Sequence, residues 1–136
     1  MCSPSKLLPL LTMRRTTSNI MTRVLIVEDN EMNRDMLTRR LERKGFSIVT
    51  AEDGEAALLA INTSQPDIVL MDIQLTGKKG LELLKYIAQA YPAVTVVVLT
   101  NQVSVYYQRL CKELGAGFFI DKSKDFDRIP EIIRSI

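Results

Sequence analysis

Five polar side chains in this 136-residue sequence each stand at the end of a short apolar run. Glu28 and Asp29 follow Val24-Leu25-Ile26-Val27, Asp72 follows Ile68-Val69-Leu70-Met71, Thr100 follows Val96-Val97-Val98-Leu99, and Lys122 comes just past Phe118-Phe119-Ile120. Runs of this kind read as strands buried on both faces, as in a parallel sheet. In an open α/β sheet, ligands bind beyond the carboxyl ends of the strands, so all five side chains are expected at one edge. Three carboxylates gathered there would raise one another's pKa, and a hard divalent cation relieves that conflict; Mg²⁺ prefers such oxygen ligands and keeps several waters. The expected shell is Asp29, Asp72 and the backbone carbonyl of Gln74, with Glu28 acting through water. A carboxylate can also serve as a covalent nucleophile and form an aspartyl-phosphate. Phosphoryl transfer needs positioning and charge neutralisation, which Mg²⁺, Lys122 and Thr100 would supply. Singly, each residue has an ordinary role: Asp72 starts a turn, Glu28-Asp29 caps a helix, Thr100 opens one, and Lys122 is solvated. Their arrival at one edge favours the chemistry.

The segments between the runs must position them. After Asn30, Met32, Met36, Leu37 and Leu41 share a helix face opposite Arg34, Arg39, Arg40, Glu42 and Lys44, and Gly45 closes the helix. Phe46 to Ala51 reads as a strand, and Asp53-Gly54-Glu55 opens a helix to about Asn62. The strand to Asp72 follows. Leu81, Leu84, Ile87, Ala88 and Tyr91 mark a third helix before Pro92. Val94 to Leu99 is β-branched and reads as a central strand. Val103, Tyr107, Leu110, Cys111 and Leu114 line a fourth helix that ends at Gly115-Ala116-Gly117. The last helix carries Ile129, Ile132, Ile133 and Ile136, with Pro130 in its first turn and Asp127 as its cap. Strand and helix alternate five times, which predicts an α/β fold with right-handed crossovers and a parallel sheet covered on both faces.

Composition narrows the chemistry. Hydrophobic residues make up 46% and charged residues 25%, the proportions of a globular protein. The formal charge of +2 is uneven: Lys6, Arg14 and Arg15 lie in an acid-free start, and residues 22–136 carry 15 bases against 16 acids. A nearly neutral body predicts no nucleic-acid contact. Histidine is absent, which excludes a Ser-His-Asp or Cys-His pair and a phosphohistidine carried by this chain. Cys2 and Cys111 suggest neither a disulfide framework nor a metal knuckle, and Cys111 is expected to pack in the core. No apolar run is long enough to span a membrane. Residues 1–21 are expected to be a disordered or non-native extension, with residues 22–136 forming the domain.

Val24-Leu25-Ile26-Val27-Glu28-Asp29-Asn30, Leu70-Met71-Asp72-Ile73-Gln74-Leu75, Val97-Val98-Leu99-Thr100 and Gly115-Ala116-Gly117-Phe118-Phe119-Ile120-Asp121-Lys122 resemble the receiver (CheY-like) domain of bacterial two-component response regulators, over residues 22–136. The resemblance implies a flavodoxin-like (βα)5 fold with strand order 2-1-3-4-5. It further implies that Asp72 takes a phosphoryl group from the phosphohistidine of a histidine kinase or histidine phosphotransfer protein, with Mg²⁺ required. Phosphorylation would draw Thr100 inward and repack Phe119, switching the face of helix four, strand five and helix five for a downstream protein. A cytoplasmic, single-domain regulator or phosphorelay receiver with at most slow self-dephosphorylation is the expected product, and homodimerisation through helices four and five is left open. The family usually has proline where Thr76 and Ser123 stand. The first departure suggests a looser loop after Asp72, the second a different path after Lys122.

Three rival functions fit parts of the pattern. A haloacid-dehalogenase-type phosphatase needs a second Asp two positions after the nucleophile, and Gln74 cannot act as that acid. A flavin module of the same fold would need a Ser/Thr/Gly-rich phosphate loop after the first strand, which is missing. A phosphorylation-independent receiver acting only by protein contact is the main alternative, and the full complement of acids, Thr100 and Lys122 argues against it.

Overall fold

Strand β1 (Arg23–Val27) has four consecutive buried residues, and β3 (Ile68–Asp72) is buried along its whole length. The computed structural model describes residues 21–72, 78–101 and 104–136. Helix α1 (Glu31–Glu42) leads to β2 (Ser47–Ala51), and α2 (Gly54–Ser64) leads to β3. Helix α3 (Lys78–Ala90) then precedes β4 (Thr95–Thr100), α4 (Val105–Glu113) precedes β5 (Phe118–Asp121), and a 3-10 turn (Phe126–Arg128) enters α5 (Ile129–Arg134). The five strands form one parallel sheet in the order β2-β1-β3-β4-β5, as the resemblance implies. The fourth strand is internal, paired with β3 and β5.

Alternation along the buried strands builds two cores. Leu25, Val27, Val69, Met71, Val96 and Val98 face helices α2, α3 and α4, whose Ile61, Leu84 and Cys111 complete that layer. Val24, Ile26, Leu70, Val97, Leu99 and Ile120 face α1 and α5, where Leu37, Leu41, Ile129 and Ile133 meet them. Burying each of these large side chains contributes roughly 1.5–3 kcal/mol. Cys111 lies in the core as expected, and burial pushes its thiol pKa up.

Helix ends are set by local polar chemistry. Asn30 and Asp53 accept the backbone N–H of Asn33 and Ala56, each cap contributing about 1 kcal/mol. At the far end of α1, Gly45 adopts φ +94° and Phe46 N–H donates to the Leu41 carbonyl at 3.2 Å, a left-handed close.

Several sequence expectations need correction. Met32 is 74% exposed and Met36 37%, so the buried stripe of α1 is Leu37 and Leu41, while Arg34 is half-buried. A single helix lying on a sheet buries a narrow stripe, and Met32 and Met36 point away from it. Asp127 does not cap the last helix. It sits inside the 3-10 turn and pairs with Arg40 at 2.6 Å, and α5 begins with no side-chain cap. Pro130 does stand in its first turn, but Ile136 follows the helix and is exposed. β2 starts at Ser47, after Phe46, and α2 extends to Ser64. The expectations for residues 1–20, Gln74, Thr76 and Val103 lie outside the described residues. Among the described residues, no helix is long and apolar enough to cross a membrane.

Candidate phosphoacceptor site

Sheet register brings the strand ends level. Val27 pairs with Ala51 and Met71, Asp72 pairs with Leu99, and Thr100 pairs with Asp121. The first residues beyond or at these ends are the ones the sequence singled out. Asp72 is 8% exposed, Glu28 2% and Thr100 0%, so a polar cluster is buried at this edge. Lys122 Nζ donates to Asp72 Oδ2 at 2.6 Å and lies 3.5 Å from Glu28 Oε1. The Lys122 backbone N–H donates to the Thr100 carbonyl at 2.8 Å, which ties the lysine to the end of β4. After it, Asp121 Oδ1 accepts from both the backbone and the hydroxyl of Ser123, so a side-chain turn sets the path there.

Charge is out of balance in this pocket. Burial, then the Asp72 carboxylate beside it, push the Glu28 pKa up from 4.5 to about 7, while the Asn30 N–H and Lys122 pull it back. Burial alone would lower the Lys122 pKa, but the Asp72 hydrogen bond and charge, with the nearby Glu28 charge, raise it overall. Glu28 Oε2 accepts from Asn30 N–H at 3.2 Å, whereas Glu28 Oε1 is buried with no hydrogen-bond partner. A buried carboxylate oxygen that accepts no hydrogen bond, with the Lys122 ammonium 3.5 Å away and a second carboxylate beside it, suits a hard divalent cation. Among the described residues no three Asp, Glu, His or Cys side chains form a metal-holding group on their own. A cation here would therefore also use backbone carbonyl and water oxygens, as Mg²⁺ commonly does. Asp29 is exposed at the same turn, and the Gln74 carbonyl falls outside the described residues.

Glu28→Gln tests this imbalance. Folded Glu28 holds a proton that the unfolded chain releases between pH 4.5 and about 7, so its burial costs stability increasingly as pH rises through that window. In EDTA, the variant is expected to melt above the parent at pH 8 and near it at pH 4.5. Equal melting temperatures at both pH values would refute the crowding.

Phe119 is half-buried in the layer with α4 and pairs with Val98. Three participants were not singled out by sequence. Arg34 Nη1 donates to the carbonyls of Glu28 and Asp29, Asn30 donates to Glu28, and Tyr107 feels the site. Burial raises the Tyr107 pKa first, with Cys111 and the Asp72 charge adding to it. The Asn30 cap was readable from its residue type; the Arg34 and Tyr107 contacts depend on packing.

Fold and edge together define a flavodoxin-like α/β protein with a carboxylate-lysine site at the sheet's switch point. The response regulator receiver domain model matches residues 24–134, and the chain belongs to that family. Receiver domains are phosphoacceptors of two-component systems that generally bind Mg²⁺ and interact with histidine kinases and downstream effectors. The alkaline phosphatase synthesis transcriptional regulatory protein PhoP of Bacillus subtilis is 33% identical over 100 residues, covering 74% of this chain and 42% of its own. The DNA-binding transcriptional regulator NtrC of Klebsiella pneumoniae is 38% identical over 108 residues, covering 79% of this chain and 23% of its own. This chain thus spans under half of either relative. Chemotaxis protein CheY4 of Vibrio cholerae superposes with a TM-score of 0.79 at 24% identity, over 86% of this chain and 99% of that one, a likeness of fold.

Proposed function

We propose that Asp72 is the phosphoacceptor of a Mg²⁺-dependent signalling switch. The observation that carries this is the Lys122–Asp72 contact at 2.6 Å beside buried Glu28, all at the carboxyl edge of the sheet. A deprotonated Asp72 oxygen attacks the phosphorus of a phosphohistidine, the P–N bond breaks as the O–P bond forms, and the leaving imidazole takes its proton from solvent. Lys122 moves from the carboxylate to a phosphoryl oxygen, and the Thr100 hydroxyl donates to another. Asp29, Asp72 and the Gln74 carbonyl, with Glu28 through water, would hold Mg²⁺, which neutralises the phosphoryl charge. These 136 residues hold no histidine, so the phosphohistidine donor lies outside them.

Thr100 and Phe119 then carry the state outward to the α4–β5–α5 face. A cleft of about 460 Å³ there is bordered by Val105, Arg109, Lys112, Phe118 and Phe119, and Val105, Tyr106 and Phe118 are exposed beside it, which suits a downstream protein. Incubation with acetyl phosphate and Mg²⁺ is expected to add one phosphoryl mass to the intact protein, and EDTA to prevent it. Beryllofluoride with Mg²⁺ should shift the amide resonances of Thr100 and Phe119. A folded protein that gains no mass and shows no shift would favour the phosphorylation-independent reading instead.

A further inference from the structure

Arg34 reaches the site without touching either carboxylate. Its Nη1 donates to the Glu28 carbonyl at 2.9 Å and, more weakly, to the Asp29 carbonyl at 3.4 Å. We infer that Arg34 is a positioning residue for the divalent cation: by gripping the two carbonyls, it fixes the turn that aims Glu28 and Asp29. This rests on the functional reading above.

The backbone that carries the guanidinium is itself anchored in the first turn of α1. Arg34 N–H donates to the Asn30 carbonyl at 2.9 Å, the first helical bond of α1, and the Arg34 carbonyl accepts from Thr38 Oγ1 at 2.8 Å. Long helical side chains lean toward the helix N-terminus, which carries this one back over the turn. Upstream of it, Glu28 N–H donates to the Ala51 carbonyl at 3.0 Å, so β2 holds the strand side of the turn. Arg34 supplies the hold from the helix side. Without it the part-buried Glu28 carbonyl loses its charge-assisted donor, and the Glu28–Asp29 backbone can relax away from the cation.

Charge and positioning predict opposite signs. A guanidinium near a divalent cation repels it, so if charge were the only effect, removing Arg34 would tighten cation binding. Positioning predicts weakening. Arg40 serves as the internal control, because it lies on the same helix but bonds Asp127 and stacks 4.7 Å over the Phe126 ring.

The test is titration of the unphosphorylated protein with MgCl₂, following the amide shifts of Asp29 and Asn30. Arg34→Ala should weaken Mg²⁺ binding by roughly 10-fold, the scale of lost support behind a ligand. Arg40→Ala should stay near the parent. Arg34→Lys, which keeps the charge but not the forked donor, should fall between the two and carries the test alone if the alanine variant does not fold. Unchanged or tighter binding by the Arg34 variants, or an equal loss in Arg40→Ala, would overturn the inference. A parent protein that does not bind Mg²⁺ would instead overturn the functional reading on which it rests.

Discussion

Asp72→Asn is expected to take up no phosphoryl group from acetyl phosphate, a fall of at least about 10³-fold in labelling, or ~4 kcal/mol of transition-state stabilisation. An amide oxygen lacks the negative charge that makes the carboxylate a nucleophile, while its size and shape match. Folding should survive. Asp72 is one of two crowded carboxylates, and its charge is the second cause, after burial, of the raised Glu28 pKa. Neutralising it removes that repulsion and leaves Lys122 paired with Glu28. The expected result is therefore an unlabelled protein, by intact mass, with a melting temperature at or above the parent's in EDTA. Undiminished labelling of the variant would move the acceptor to another carboxylate, with exposed Asp29 the first to examine.

A second large effect is expected far from the site. Gly115 ends α4 with φ +117°, and an added Cβ would lie 2.3 Å from the Cβ of Ala88 on α3. Gly115→Ala therefore combines backbone strain of roughly 1–3 kcal/mol with overpacking of roughly 1–3 kcal/mol. The sum is a large part of the 5–15 kcal/mol typical of a whole domain. Gly45→Ala isolates the two parts. Gly45 also has positive φ, at +94°, but nothing lies within 4 Å of its added Cβ. It should lose about 1 kcal/mol. Denaturant melts of the two variants should differ chiefly by the cost of the clash, and Ala88→Gly should rescue the Gly115 variant only. Equal losses in the two would remove α3 from the explanation.

Buried strands were the most legible part of the chain, because a parallel sheet covered on both faces demands unbroken apolar runs such as Ile68 to Met71. The site followed directly: a polar residue at the end of such a run has one place to go, and Glu28, Asp72, Thr100 and Lys122 all arrive there. Strand order was not written in the runs themselves and came from family resemblance. Helix faces were less legible. Met32 and Met36 have the spacing of a buried stripe and the hydrophobicity for it, yet the line of contact with the sheet passes through Leu37 and Leu41. Asp127 had the chemistry of a cap, but Arg40, 87 residues earlier in sequence, captures its carboxylate. Arg34 stood on the polar face of its helix, yet its guanidinium turns back onto the Glu28 and Asp29 carbonyls, six and five residues earlier. Contacts across sequence depend on the packed fold, which local pattern does not encode.

Both ends of the described domain leave from the side opposite the acidic edge. The Thr22 carbonyl accepts from Ser47 N–H, and the Arg134 guanidinium bonds the Lys44 carbonyl, so the two meet at the corner between α1 and β2. Anything spliced to either end would hang below the sheet and leave the carboxylates open from above. If Asp72 takes the phosphoryl group as proposed, a fluorescent reporter joined after Ile136 should leave its phosphorylation unobstructed.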